Sequence, residues 1–325
     1  MRLDRLARKN FLVIGRVGMD LTPTPVNTRT QDASMMMVAI GGSSANIAAG
    51  LTRLGCKAAL MTCVSDDSVG WYCLNQLDHY GIDRRHVRAI KGESRTSLAV
   101  YETRIHDHQS VIYRNNAADF QMTVEDVEAV DYAAYGALIT TGTVFAAEPS
   151  RTAAFRAFDL ARAAGLPIVF DVDYRPYSWH SPEVAQQVLS QAGALADIIV
   201  GNDEEFGFMA GDIAKGLHKA LALAASGASL VVYKLGPEGS IAFACGQEIR
   251  TGIFPADAIK PTGAGDSFMA GMMTALAEGR EVADAILRGS ACASIVVARP
   301  GCAPAMPTLR ELEDFLASHD CTKRL

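Results

Sequence analysis

Thr262-Gly263-Ala264-Gly265-Asp266 stands directly before an Ala/Met/Gly/Leu run with helical character. Two glycines let the backbone turn tightly, so the amides of Gly263, Ala264 and Gly265 can point at one spot. The helix behind them adds its positive N-terminal end, and the combination is a hole for an anion. A carboxylate inside such a hole repels a phosphate, so Asp266 is a poor choice for binding alone. It makes sense if Asp266 takes a proton from an alcohol while the amides hold phosphoryl oxygens. That chemistry is phosphoryl transfer to a small hydroxylated acceptor. The plainer alternative is an ordinary helix start, where the dipole favours an aspartate in the first turn.

A second glycine-rich element begins Gly41-Gly42-Ser43-Ser44-Ala45-Asn46 and closes at Gly55. Gly-Gly followed by Ser-Ser predicts a bend and an N-cap. Residues 45–54 then read as a helix with Gly55 as its stop. Asn46 falls in the first turn, where its amide can bond a sugar hydroxyl. A helix-packing glycine pair with a local cap is the alternative.

Together the two elements closely resemble the two signatures of the ribokinase-like (PfkB) carbohydrate kinase family. The resemblance covers nearly the whole chain, in order and at family-like spacing. Asp20, after the first apolar strand, matches the family's sugar-binding aspartate, and Gly42 and Asn46 its sugar-binding glycine pair and asparagine. Asn202-Asp203-Glu204-Glu205 matches the Asn-x-x-Glu element. Lys234-Leu235-Gly236-Pro237-Glu238-Gly239 matches the strand and turn beside the nucleotide. The resemblance implies ATP as co-substrate, held by Asn202, Lys234, Gly236, Gly239, Thr262 and Gly265. It also implies Mg2+ near Asn202 and Glu205, reached through waters, and it leaves room for a homodimer.

The run Phe170-Asp171-Val172-Asp173-Tyr174-Arg175-Pro176-Tyr177-Ser178-Trp179 follows a buried strand and should emerge at the ligand end. A guanidinium there can grip a carboxylate with two parallel hydrogen bonds. Tyr177 and Trp179 are placed to floor or wall the pocket. Alternatively, Arg175 is structural and pairs with Asp171 or Asp173. The run resembles that of family members acting on deoxy-keto sugar acids. Segments 15–21, 95–99 and 113–119 narrow the implied acceptor to 5-dehydro-2-deoxy-D-gluconate of inositol breakdown, phosphorylated on its terminal hydroxyl. Its carboxylate would meet Arg175, with Arg16 and Arg114 as further candidates. The alternatives are 2-keto-3-deoxygluconate, another sugar, or a non-catalytic sugar-acid sensor on the same fold. Lys260 departs from the family pattern, in which many members carry an aspartate that helps bind a monovalent cation. Either the lysine ammonium replaces that ion's charge, or Lys260 faces solvent.

The elements that must position these residues alternate between strand and helix patterns. Residues 11–14 read as a buried strand, and strands follow at 137–140, 167–171, 197–201 and 230–235. Helices fall at 151–164, 182–195 and 213–225. This βα alternation predicts a mostly parallel sheet with helices on both faces, in one domain spanning residues 1–325. Ligands should then lie at the carboxyl ends of the strands. Alternating residues near 95–115, with a polar turn at 106–109, predict a hairpin. With residues 16–40 it forms a small β lid. Residues 320–325 read as a frayed tail.

Composition excludes several classes. The 325 residues are 49% hydrophobic and carry a net charge of −6. Broad attraction to nucleic acid or an anionic membrane is therefore not expected, and an anionic substrate needs local cations. The first apolar run is too short for a membrane helix. Seven cysteines with no Cys-x-x-Cys pair predict reduced, mostly buried thiols in a cytoplasmic protein. No Gly-x-x-x-x-Gly-Lys-Ser/Thr loop occurs, and Gly15-Arg16-Val17-Gly18 lacks the dinucleotide pattern.

Overall fold

The computed structural model describes residues 2–104 and 106–322, so the predicted tail at 320–325 lies partly outside the described residues. Thirteen strands and ten helices are formed among the described residues. The strands are β1 Asn10–Ile14, β2 Gly18–Thr24, β3 Met35–Gly41, β4 Lys57–Ser65, β5 Asp83–Ile90, β6 Ser97–Tyr101, β7 Ser110–Tyr113, β8 Ala137–Thr141, β9 Ile168–Asp171, β10 Ile198–Asn202, β11 Leu230–Lys234, β12 Ser240–Ala244 and β13 Gln247–Thr251. The helices are α1 Ser43–Arg53, α2 Ser68–His79, α3 Val124–Glu128, α4 Ser150–Ala163, α5 Pro182–Leu195, α6 Asp203–Ala210, α7 Gly216–Ala225, α8 Ala264–Ala277, α9 Val282–Val297 and α10 Leu309–Ser318.

Nine strands form one sheet in the order β13-β12-β11-β10-β9-β8-β1-β4-β5. Strands β11 through β5 in that order pair in parallel, and only β12 runs against them, pairing antiparallel with β11 and β13. The reason is visible in β1. Its side chains alternate between faces, yet Phe11, Leu12, Val13 and Ile14 are all buried. Phe11 and Val13 join one core with Ala45 and Leu51 of α1 and Met269 and Met272 of α8. Leu12 and Ile14 join a second core with Phe158 of α4 and Leu189 of α5. A strand apolar on both faces must be covered by helices on both, and the parallel sheet follows.

Residues of the predicted lid make a separate four-stranded sheet, β3-β2-β6-β7. The predicted hairpin is β6 and β7, antiparallel, and β2 and β3 form a second antiparallel pair. Strands β2 and β6 join the pairs in parallel. Asp20 and Thr22 of β2 are buried, so this sheet presents polar side chains to the interior.

One local expectation is corrected. Ser43 and Ser44 do not cap α1, which starts at Ser43 on Gly42 at φ 99 with no side-chain cap. Their hydroxyls are used across the structure instead. Ser43 Oγ donates to Asp173 Oδ2 at 2.6 Å, and Ser44 Oγ donates to the Ile14 carbonyl at 3.0 Å. Both bonds tie the start of α1 to the carboxyl ends of sheet strands. Residues 213–225 divide into a short turn at Ile213–Lys215 and helix α7. Five cysteines are buried and none is bridged, while Cys245 and Cys321 are exposed. No helix among the described residues is long and apolar enough to cross a membrane.

Candidate active site

The two glycine-rich elements, 220 residues apart, meet. Helix α8 starts at Ala264, with Gly263 as its N-cap in the left-handed region at φ 83, a conformation glycine adopts without strain. Asp266 is the third residue of this helix. Asn46, in the first turns of α1, donates its Nδ2 to Asp266 Oδ2 at 2.8 Å. The amide oxygen of Asn46 is buried without a partner, and so is Asp20 Oδ1. Orphaned buried acceptors are costly, and a hydroxyl donor from a ligand would satisfy both. Gly41 makes room for Asp20, because a Cβ there would fall 1.9 Å from Asp20 Oδ1.

Two lysines flank the loop. The Lys234 ammonium lies 3.6 Å from where a Cβ on Gly265 would be, and over the Phe268 ring. Lys260 is wholly buried and donates to the Thr262 carbonyl at 2.6 Å. It does not face solvent. Burial pulls its ammonium below the usual lysine range, against the attraction of Cys302, Asp266 and Asp20. Gly236 and Gly239 bracket a short turn after β11.

Burial dominates the carboxyl groups. It pushes Asp266 up to about 7, helped by the charge of Asp173, while the Asn46 hydrogen bond and the charges of Arg175 and Arg16 hold it down. Burial likewise lifts Asp20 to about 6, against Arg16 and Lys260. Asp171, at the end of β9, is raised by burial against the pull of Lys234, with Glu205, Asp173 and Asp266 adding to the rise. A carboxylate pushed toward neutrality in a cleft is suited to proton transfer near pH 7.

The three arginines differ. Arg175 Nη2 pairs with Asp173 Oδ1 at 3.0 Å, and its side chain is half exposed. Arg114 is buried against Asp119 and stacks over Phe120 at 4.1 Å. Arg16 is buried and donates to Ser97 Oγ at 3.0 Å. A cavity of about 300 Å³ opens beside Arg114, Tyr177 and Trp179.

Asn202 and Glu205 form a reciprocal cap on α6. Asn202 Oδ1 accepts from the Glu205 amide and Glu205 Oε2 accepts from the Asn202 amide, both at 2.8 Å. Among the described residues, no group of three or more His, Cys, Asp or Glu is placed to hold a metal ion. The oxygen donors Asp171 and Glu205, close to Lys234, suit a hydrated Mg2+ carried on nucleotide phosphates rather than a protein cage.

Sequence reasoning named Asp266 and Asn46 but not the bond between them, because their spacing carries no trace of it. It also missed Cys302, whose Sγ would lie 3.2 Å from a Cβ on Gly263 and sits 3.6 Å from the Tyr101 hydroxyl. No motif marks that position.

The shifted Asp266 gives a stability prediction. With a folded value of about 7 against an ordinary 3.8, the folded protein keeps a proton that the unfolded chain has released. Burying the charge therefore costs nothing below pH 3.8, costs progressively more up to about 7, and costs its full amount above that. Asp266→Asn should raise the melting temperature at pH 8 clearly more than at pH 5. Equal shifts at both pH values would show that Asp266 is not held near neutrality. Asn46→Ala should move the Asp266 carboxyl titration upward, read by 13C NMR against the Asp266→Asn spectrum.

Known proteins agree with this architecture. A family model described as pfkB family carbohydrate kinase matches residues 8–309. A 5-dehydro-2-deoxygluconokinase of Photobacterium profundum is 37% identical over 95% of this chain and 95% of its own length. One from Geobacillus kaustophilus is 36% identical over 97% of this chain and 96% of its own. Among solved structures, a PfkB protein from Polaromonas sp. JS666 superimposes with a TM-score of 0.81 at 28% identity, covering 94% of this chain and 99% of that one. A fructokinase double mutant from Vibrio cholerae O395, solved with fructose, ADP and potassium ion, gives a TM-score of 0.83 at 24% identity, covering 94% of this chain and 98% of that one. With a glycine-bordered helix start, a half-buried aspartate on it and a mostly parallel sheet already in place, the chain belongs to the pfkB family of carbohydrate kinases.

Proposed function

We propose that the chain transfers the γ-phosphoryl group of ATP to the terminal hydroxyl of 5-dehydro-2-deoxy-D-gluconate, in inositol breakdown. The observation that carries the reaction is Asp266 itself, a half-buried carboxylate on the first turn of α8 behind the Gly263 N-cap, bonded to Asn46. The names of relatives that share more than a third of their residues support this acceptor.

The acceptor's hydroxyls donate to the two orphaned oxygens, Asp20 Oδ1 and Asn46 Oδ1. The terminal hydroxyl lies against Asp266. Its O–H bond breaks toward the carboxylate as its oxygen bonds the γ-phosphorus, and the bond to the bridging oxygen of ADP breaks. The amides of Gly263, Ala264 and Gly265 hold the phosphoryl oxygens, with the Lys234 ammonium beside them. Asn202, Gly236, Gly239 and Thr262 border the nucleotide. When bound, Mg2+ would supply charge neutralisation on the phosphates, and Glu205 and Asn202 would hold it through waters. The small sheet closes over the sugar and excludes water, which suppresses ATP hydrolysis.

Asp266→Asn should keep the fold and ATP binding and lose roughly two to four orders of magnitude in turnover. Near-normal turnover would remove Asp266 from the base role. In the wild type, kcat/KM should climb with pH through a limb near 7, because the base must be ionised. A panel of sugar acids and neutral sugars with ATP and Mg2+ tests the acceptor. Preference for 2-keto-3-deoxygluconate or a neutral ketose would replace the proposed substrate, and no ADP release with any of them would favour a sensor.

Lys260 bears on ion dependence. A wholly buried ammonium on the Thr262 carbonyl supplies permanent positive charge where water screens it poorly. Turnover should therefore agree within about twofold in sodium, potassium or a bulky organic cation at matched ionic strength. Lys260→Asp should impair the enzyme, with partial rescue by potassium. Strong, selective potassium activation of the wild type would contradict this role for Lys260.

A further inference from the structure

Arg16 stands apart from the other arginines of the site. Its residue is 7% exposed. Its one side-chain hydrogen bond is from Nη1 to the neutral Ser97 hydroxyl at 3.0 Å. Among the described residues no carboxylate lies within the 4.0 Å of an ion pair. Arg114 gives Nε and Nη2 to Asp119, leaving only its buried Nη1 without a partner, and Arg175 pairs with Asp173. A buried charge without a close partner is unfavourable in a folded protein by itself.

Its surroundings identify the missing partner. The charge of Arg16 acts on Asp20, on Asp266 and on Tyr177, so the guanidinium lies among the sugar-binding aspartate, the base and the loop after β9. The Arg16 carbonyl accepts from the Ala45 amide at 3.3 Å, which fixes the residue against the start of α1. That helix end adds its own preference for an anion. The guanidinium keeps donors free in a planar fork, the geometry a carboxylate fills with two hydrogen bonds. The chain's net charge of −6 supplies no general attraction for an acid, so recognition must be local.

We propose that Arg16 is the specificity-determining residue that selects a sugar acid over a neutral sugar, by pairing with the acceptor's carboxylate. Arg175 and Arg114, neutralised by their own aspartates, shape the pocket around it. The inference rests on the sugar-acid reading above and says which side chain carries it. It also gives Ser97, on the small sheet, a function as the positioning residue that aims the guanidinium.

The test compares KM for 5-dehydro-2-deoxygluconate and for ATP in the wild type, Arg16→Met, Arg16→Lys and Arg175→Met. Arg16→Met should raise KM for the acid by roughly thirtyfold or more and leave KM for ATP within about twofold. Arg16→Lys should recover part of the loss, and Arg175→Met should raise KM for the acid less than Arg16→Met does. An unchanged KM for the acid in Arg16→Met, equal rises for acid and ATP, or a larger effect at Arg175 would overturn the assignment. If Arg16→Met does not fold, Ser97→Ala is read instead. A rise in KM for the acid alone supports the proposal, and no change overturns it. A wild type that phosphorylates neutral ketoses and no sugar acid defeats the underlying reading, and this is visible before any variant is made.

Discussion

The structure depends on partly withdrawing a carboxylate from water at the start of a helix. Asp266 is half-buried, and its desolvation alone would drive it toward the neutral form. The N-terminal end of α8 and the Asn46 amide favour the charged form. The balance leaves the group near pH 7, where a carboxylate can both hold and release a proton. A solvated aspartate would be fully ionised there and a far weaker base.

The rest of the site balances that charge. Asp171 and Asp173 add negative groups at the carboxyl end of β9 and Asp20 adds one within β2 of the small sheet, while Lys234, Lys260 and Arg16 supply positive ones close by. Lys260 and Lys234 sit next to the Gly263–Gly265 loop, and Arg16 sits against Ser97 of the small sheet. Under the proposed function, this separation gives the two ends of the cleft to different anions. It is possible only because the parallel sheet brings five strand ends together and α1 and α8 start in the space between them.

Asp173 is the joint between the halves. It has φ 36 and accepts from Ser43 at the start of α1 and from Thr143 after β8, while pairing with Arg175. One carboxylate thus ties α1, two strand ends and the loop carrying Tyr177. Its charge also raises Asp266, so a change in this network would be felt at Asp266.

The sequence by itself determined the family, the mostly parallel sheet and the positions of several of its strands and helices, though not the longest strand β4 or the longest helix α9. Apolar runs too short for helices, glycine stops and a helix-leading Gly-Ala-Gly-Asp are local signals, and local signals survive in one dimension. Asp266 and Asn46 were singled out from such signals, and Asp20 and Lys234 from the family resemblance. Tertiary structure alone decided the partners. Nothing in the spacing of Asn46 and Asp266 reveals a 2.8 Å bond, or that Ser43 and Ser44 serve strand ends rather than a cap. Arg16, Arg114 and Arg175 look alike in sequence. Only the fold neutralises two of them with aspartates and leaves the third buried without one. Lys260 could have faced solvent until packing enclosed it completely. Charge balance and burial are set by neighbours far away along the chain, and those neighbours exist only once it has folded.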